Sequence, residues 1–173
     1  IILGPEMRST GEVMGIDEDF GIAYAKSQMA AQPPLPLAGK AFVSVKDSDK
    51  EAVAPIAAEL ARLGFEIFAT GGTAAFLEKS GVRVNKLFKL SEGRPNILDL
   101  LKNDEITFII NTPSGPIARE DEVRIRNTAF LKRIPIMTTL SAARASVRGI
   151  ASLQKKGYTV NNIQSYHKKQ PTA

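Results

Sequence analysis

From Gly39 onward, short apolar runs alternate with segments of helical periodicity, and this alternation limits the fold more than any other feature of the chain. Ala41-Phe42-Val43-Ser44-Val45 predicts a strand. A helix follows, capped by Asp47 or Ser48, with Val53, Ile56, Ala57, Leu60 and Leu63 at helical spacing and Gly64 as its stop. Pro55 argues that its regular part starts close to that residue. Phe65-Glu66-Ile67-Phe68-Ala69 predicts a second strand, and Thr70-Gly71-Gly72-Thr73 a tight turn into a helix over residues 74–79. A third, shorter strand falls within residues 82–90, and a short helix within 97–103. Thr107-Phe108-Ile109-Ile110-Asn111 has the continuous apolar centre of a strand buried on both faces. A loop over 111–119, a helix over 120–132, a strand over 134–138 and a helix over 140–155 stopped by Gly157 come next. Residues 160–165 predict a last edge strand. This order implies right-handed βαβ crossovers: an α/β fold with a mostly parallel sheet of about five strands and helices on both faces.

Ahead of this unit the character differs. In Ser9-Thr10-Gly11-Glu12-Val13-Met14-Gly15 the glycines punctuate a loop or short strand, and Asp17 is placed to cap a helix over 18–31. One strand and one helix close no core, so this piece is expected to dock on something outside the sequence. Residues 32–38 form a linker, with Pro33, Pro34 and Pro36 locking φ and removing donors. Charge divides at the same place. Residues 1–38 hold two basic groups (Arg8, Lys26) against five acidic ones, net −3, which leaves 21 basic and 13 acidic groups, net +8, in residues 39–173. The basic part favours anionic partners.

The chain has no Cys and one His, which removes disulfides, thiolate metal sites and cysteine nucleophiles. His167 stands in a polar tail and is expected to be non-catalytic. No apolar run reaches the roughly 18 residues of a membrane span. The basic residues are scattered, Trp is absent and aromatics are 6%, so nucleic acid is not the expected partner. The start at Ile1 lacks the features of a signal peptide and reads as a cut inside a longer chain.

In an open parallel sheet, ligands sit beyond the carboxyl ends of the strands. The predicted strands deliver there Ser44 and residues 46–50, Thr70-Gly71-Gly72-Thr73, Lys89, Asn111-Thr112-Pro113-Ser114-Gly115, and Thr138-Thr139 with Ser141. Hydroxyls, amides, glycines and lysines make an anion cradle; catalytic residues are expected to be absent. Glycines allow close approach of the backbone, and the helix that follows offers unpaired N–H groups to a phosphate. A plain capped turn is the alternative for each piece alone; convergence at one edge is what favours a site. Glu120 and Asp121 either face this edge or simply complement a helix dipole. No Walker-type Lys-Ser pair follows the glycines.

Gly4-Pro5-Glu6-Met7-Arg8-Ser9-Thr10-Gly11-Glu12-Val13-Met14-Gly15 resembles the end of the second ATP-grasp half of the carbamoyl-phosphate synthase large subunit family. Ser44-Val45 with Asp49-Lys50, then Thr70-x-Gly72-Thr73, Lys89-x-x-Glu92-Gly93-Arg94-Pro95-x-Ile97, Ile109-Ile110-Asn111-Thr112-x-Ser114-Gly115 and Thr138-Thr139-Leu140 resemble that family's C-terminal regulatory domain, of methylglyoxal-synthase-like fold. The resemblance implies an ATP-grasp remnant over 1–31, the linker 32–38 and a regulatory domain over 39–173. It implies an allosteric role: binding of a nucleotide monophosphate, UMP as inhibitor or IMP as activator, with ornithine near the junction. Effector-binding positions carried over are Ser44, Lys50, Thr70, Gly72, Thr73, Lys89, Asn111, Thr112 and Ser114, with Thr138 in the ornithine region. The resemblance further implies a cytoplasmic location, with the rest of the large subunit and a glutaminase small subunit as partners. ATP and Mg would belong to the parent's synthetase domains, leaving this fragment with no cofactor of its own. Three positions depart from the family pattern: Pro113 stands where a second Thr is usual, Ile136 where Tyr is usual and Gly71 where His is usual. Two other functions are compatible with the same residues: a methylglyoxal-synthase-type lyase, and an oligomerisation module without effector binding.

Overall fold

The structure, a computed structural model, describes residues 13–31, 33–113 and 120–167, except for the side chain of His167. Five strands form one all-parallel sheet: β1 (Gly39–Ser44), β2 (Phe65–Thr70), β3 (Val84–Leu87), β4 (Ile106–Asn111) and β5 (Ile136–Met137), in spatial order β3-β2-β1-β4-β5. The helices are α1 (Phe20–Ala31), α2 (Lys50–Arg62), α3 (Gly71–Lys79), α4 (Ile97–Lys102), α5 (Glu120–Leu131), α6 (Leu140–Lys156) and α7 (Ile163–His167).

The sheet is buried on both faces because its central strands are apolar on both. Ala41 and Val43 of β1, with Phe108 and Ile110 of β4, join one core that also takes Val53 and Leu60 of α2, Leu77 of α3 and Ile150 of α6. Phe42 and Ile109 point the other way, into a second core with Leu101 of α4 and Ile125 and Ala129 of α5. The period-two alternation of strands thus sends neighbouring residues into different layers.

Several local expectations are corrected. The cap of α1 is Asp19: its Oδ1 accepts from Ile22 N–H at 3.0 Å, while Asp17 accepts from Asp19 N–H at 3.1 Å. Asp19 wins because Ser152 and Lys156 of α6 also hold its carboxylate, at 2.9 and 3.3 Å. Neither Asp47 nor Ser48 caps α2. A single 3₁₀ turn, Asp47–Asp49, precedes it, and Asp47 pairs with Lys50 instead. Pro55 lies inside α2, where it removes one donor while the buried face of Val53, Ile56, Ala57 and Leu60 holds the helix. The glycines of Thr70-Gly71-Gly72-Thr73 belong to the first turn of α3 rather than to a turn before it. Residues 160–165 form no strand. Asn162 Oδ1 accepts from Ser165 N–H at 2.9 Å, α7 follows, and Tyr166 OH donates to Ile16 O at 3.2 Å.

The partner of α1 lies within the chain. Ile22 and Ala25 are buried against α6, and Ser146 Oγ donates to Tyr24 OH at 3.4 Å. The approach is close because both helices offer glycine. A Cβ on Gly21 would fall 2.4 Å from Ser152 Oγ and 2.7 Å from Arg148 O, and one on Gly149 2.9 Å from Leu35 Cδ1. Leu35 is buried, and Gln154 Nε2 donates to Leu37 O at 2.7 Å, so residues 33–38 lie along α6. Residues 1–12 fall outside the described residues.

Two outcomes follow. Gly21→Val should lower stability by ~1–3 kcal/mol through overpacking, read from urea unfolding midpoints. Asp19 is held down to about 2, first by the Ile22 N–H and then by Ser152 and Lys156. A lowered carboxylate stabilises above its unfolded pKa of about 3.9, and that contribution fades as pH falls toward about 2. Melting curves should therefore show Asp19→Asn less stable than the parent at pH 7, with the gap closing between about pH 4 and 2.

Candidate functional site

Parallel pairing brings the carboxyl ends of β1, β2 and β4 side by side, with Ser44 opposite Asn111 in register. Just beyond them lies a cavity of about 230 Å³, lined by Ser44, Lys50, Thr70, Gly72, Thr73, Lys89, Asn111 and Thr112. Eight of the nine effector-binding positions named from sequence thus meet in one place; Ser114 lies outside the described residues. Thr138, half-buried between β5 and α6, does not line this cavity.

The floor is built by strand ends that bind one another. Ser44 Oγ and Thr70 Oγ1 are 3.4 Å apart. Thr112 N–H donates to Ser44 O at 3.2 Å, and Thr112 Oγ1 accepts from Lys46 N–H at 3.2 Å. Thr73 is 3% exposed; its hydroxyl accepts from Val45 N–H at 3.4 Å and donates to Val45 O at 3.5 Å, tying α3 to the loop after β1. Asn111 is 4% exposed, and what it leaves open faces the cavity that it lines.

Charge is concentrated at the same spot. Thr70 is the N-cap of α3 with extended backbone, and its side chain makes no capping bond, so the first-turn N–H groups keep their donor capacity. Lys50 reaches over this turn. A Cβ on Gly72 would sit 3.2 Å from its Nζ, whereas one on Gly71 would meet nothing within 4 Å. An ammonium beside the positive end of a helix calls for an anion. Asp47 supplies one at 2.7 Å, and the Lys50 hydrogen bond lowers the Asp47 carboxyl below its ordinary range. On the opposite rim, Lys89 lies 3.3 Å from Glu92, whose carboxyl is lowered first by the Lys89 backbone N–H and then by its side chain.

Sequence reasoning missed the rest of the wall. Phe42, Phe88, Leu90, Ile97 and Ile125 give the cavity an apolar side, and Glu122 adds a carboxylate. Of the pair Glu120 and Asp121, only Asp121 lines the cavity. Glu122 is buried on the α5 face that carries Ile125 and Ala129. A carboxylate at helical spacing from two core residues was the signal that could have found it. Among the described residues no group of three or more Asp, Glu, His or Cys is placed to hold a metal ion, and no helix is long and apolar enough to cross a membrane. The arrangement can hold an anion against two lysines and a helix terminus while an apolar group lies on the facing wall.

A family model described as MGS-like domain matches residues 52–138. The carbamoyl phosphate synthase large chain of Acidobacterium capsulatum is 51% identical over 96% of this chain, which corresponds to 15% of that protein. The C-terminal section of the carbamoyl phosphate synthase large chain from Methanopyrus kandleri is 50% identical over 96% of this chain and 31% of its own length. The chain therefore spans a small part of these relatives. Among solved structures, methylglyoxal synthase from Elizabethkingia anophelis superposes with a TM-score of 0.55 at 15% identity, covering 80% of this chain and 95% of that one, a likeness of fold alone.

Thr73→Val keeps the volume but strands the Val45 N–H. It should cost ~1–3 kcal/mol in urea unfolding, while Thr73→Ser retains most of the stability.

Proposed function

Because the chain belongs to the MGS-like domain family, we propose that it is the effector-binding regulatory domain of a carbamoyl phosphate synthase large chain, taking a nucleotide monophosphate of the UMP or IMP type. The observation that carries this reading is the convergence of Lys50, Lys89, the uncapped start of α3 and the buried Asn111 amide on one cavity with an apolar far wall. The phosphate sits between Lys50 and the first turn of α3, where charge-assisted bonds to ammonium and backbone N–H groups are strongest. Thr70, Thr73 and Ser44 line that end, and Thr112 extends it. Pro113 offers no hydroxyl, so the phosphate leans on Asn111 and the lysines.

In this reading residues 1–31 come from the second ATP-grasp half, 32–38 join it to the domain, and 39–173 bind the effector. The remainder of the large chain and a glutaminase small subunit are the partners, in the cytoplasm, and the parent's ATP and Mg are bound elsewhere. The domain regulates by binding its ligand more tightly in one arrangement of the large chain than in another. The product controlled is carbamoyl phosphate, for pyrimidine and arginine synthesis.

Calorimetry with UMP, IMP and ornithine tests this. Measurable binding of one nucleotide is expected, with Lys50→Ala weakening it by about tenfold or more. Undetectable binding of both nucleotides at millimolar concentration would overturn it. Release of methylglyoxal from dihydroxyacetone phosphate would instead favour the lyase.

A further inference from the structure

We infer that Phe88 is a specificity-determining residue of this cavity, a stacking platform that makes it select monophosphates carrying a flat heteroaromatic ring over those that lack one; the inference rests on the effector reading above and assigns the ring-bearing end of that ligand. The cavity has two unlike sides. Hydroxyl, amide and ammonium groups come from the ends of β1, β2 and β4 and from α2 and α3, whereas Phe88, Leu90, Ile97 and Ile125 present carbon. Ile97 and Ile125 are buried, so they close the wall without offering much face. Phe88 differs: it is 50% exposed, although its neighbour Leu87 is 6% exposed in the core.

That exposure is not the looseness of a free end. Phe88 N–H donates to Pro95 O at 3.1 Å, and Phe88 bridges to Asn96. Asn96 is itself fixed: its Oδ1 accepts from Leu98 N–H at 3.0 Å, its Nδ2 donates to Gly93 O at 2.9 Å, and its N–H donates to Asp99 Oδ2 at 3.0 Å in a capping box. The backbone beneath the ring is therefore tied at residues 88, 95 and 96, while the ring stays half bare at the cavity rim. A large aromatic in that state gains by covering its open face, and planar rings are its best partners through offset stacking. Lys89, the next residue, lines the same rim, so an anion and a ring on one small molecule can engage the polar side and Phe88 together. The cavity, at about 230 Å³, holds more than a bare phosphate.

The test compares UMP, ribose 5-phosphate and inorganic phosphate by calorimetry on the whole chain, with Phe88→Ala and Phe88→Tyr, each variant first checked by its melting curve. Expected is a loss of about tenfold in UMP affinity for Phe88→Ala, with ribose 5-phosphate and phosphate changed less than about twofold, and recovery of UMP binding in Phe88→Tyr. Unchanged UMP affinity in Phe88→Ala, or an equal loss for all three ligands, overturns the platform while leaving the effector reading intact. IMP takes the place of UMP if the parent chain does not bind UMP; if it binds neither nucleotide, the effector reading falls and the platform with it. Should Phe88→Ala fail to fold, Phe88→Leu, which keeps bulk without a π face, replaces it with the same expected discrimination.

Discussion

The pairing of β1 with β4 is the constraint on which the rest depends. Phe42, Val43, Ile109 and Ile110 are fully buried, so neither strand can slide by one residue without exchanging the two cores. That register sets Ser44 opposite Asn111 and allows Thr112 to bind both the Ser44 carbonyl and the Lys46 amide. The loop after β1 is thereby directed toward α3, where Thr73 seizes it again at Val45. Apolar packing in the middle of the sheet thus determines where polar groups stand at its edge.

Those polar groups are preorganised but not spent. Each lysine of the cavity is steadied by a carboxylate three residues away, Lys50 by Asp47 and Lys89 by Glu92. Exposed pairs of this kind are weak and easily exchanged. A doubly charged phosphate competes well for such ammonium groups, because it brings more charge and more acceptors than one carboxylate. The lysines are held close to where they are needed and lose little when they change partners.

The layout of strands and helices was legible because it follows from period-two and helical spacing within short windows, and the polar edge was legible because strand ends announce it. Asn111 and the segment Thr70-Gly71-Gly72-Thr73 stand out in the sequence for that reason, although the glycines belong to the first turn of α3 and not to a turn ahead of it. What escaped depends on contacts distant in sequence. Asp17 and Asp19 are equally good caps by composition; only the contact with Ser152 and Lys156, far along the chain, separates them. Residues 160–165 have a strand-like beginning, but Asn162 and the reach of Tyr166 back to Ile16 decide otherwise. The apolar wall draws on residues 42, 88, 90, 97 and 125, from β1, the segment between β3 and α4, α4 and α5, and no local pattern joins them.

The grip of α1 on α6 has a mechanical consequence. Helix α6 runs for 17 residues, a rod of about 25 Å, and begins directly after β5 with Thr139 as its cap. Its later turns are held by α1 through Gly21, Asp19 and the Gly149 contact, and by residues 33–38 through Gln154. With Gly21 and Gly149 at the crossing the two backbones meet closely, and little side-chain bulk separates them there. A tilt imposed on α1 is therefore carried as a tilt of the whole rod, and its near end delivers that motion to the edge of the sheet where the strands finish.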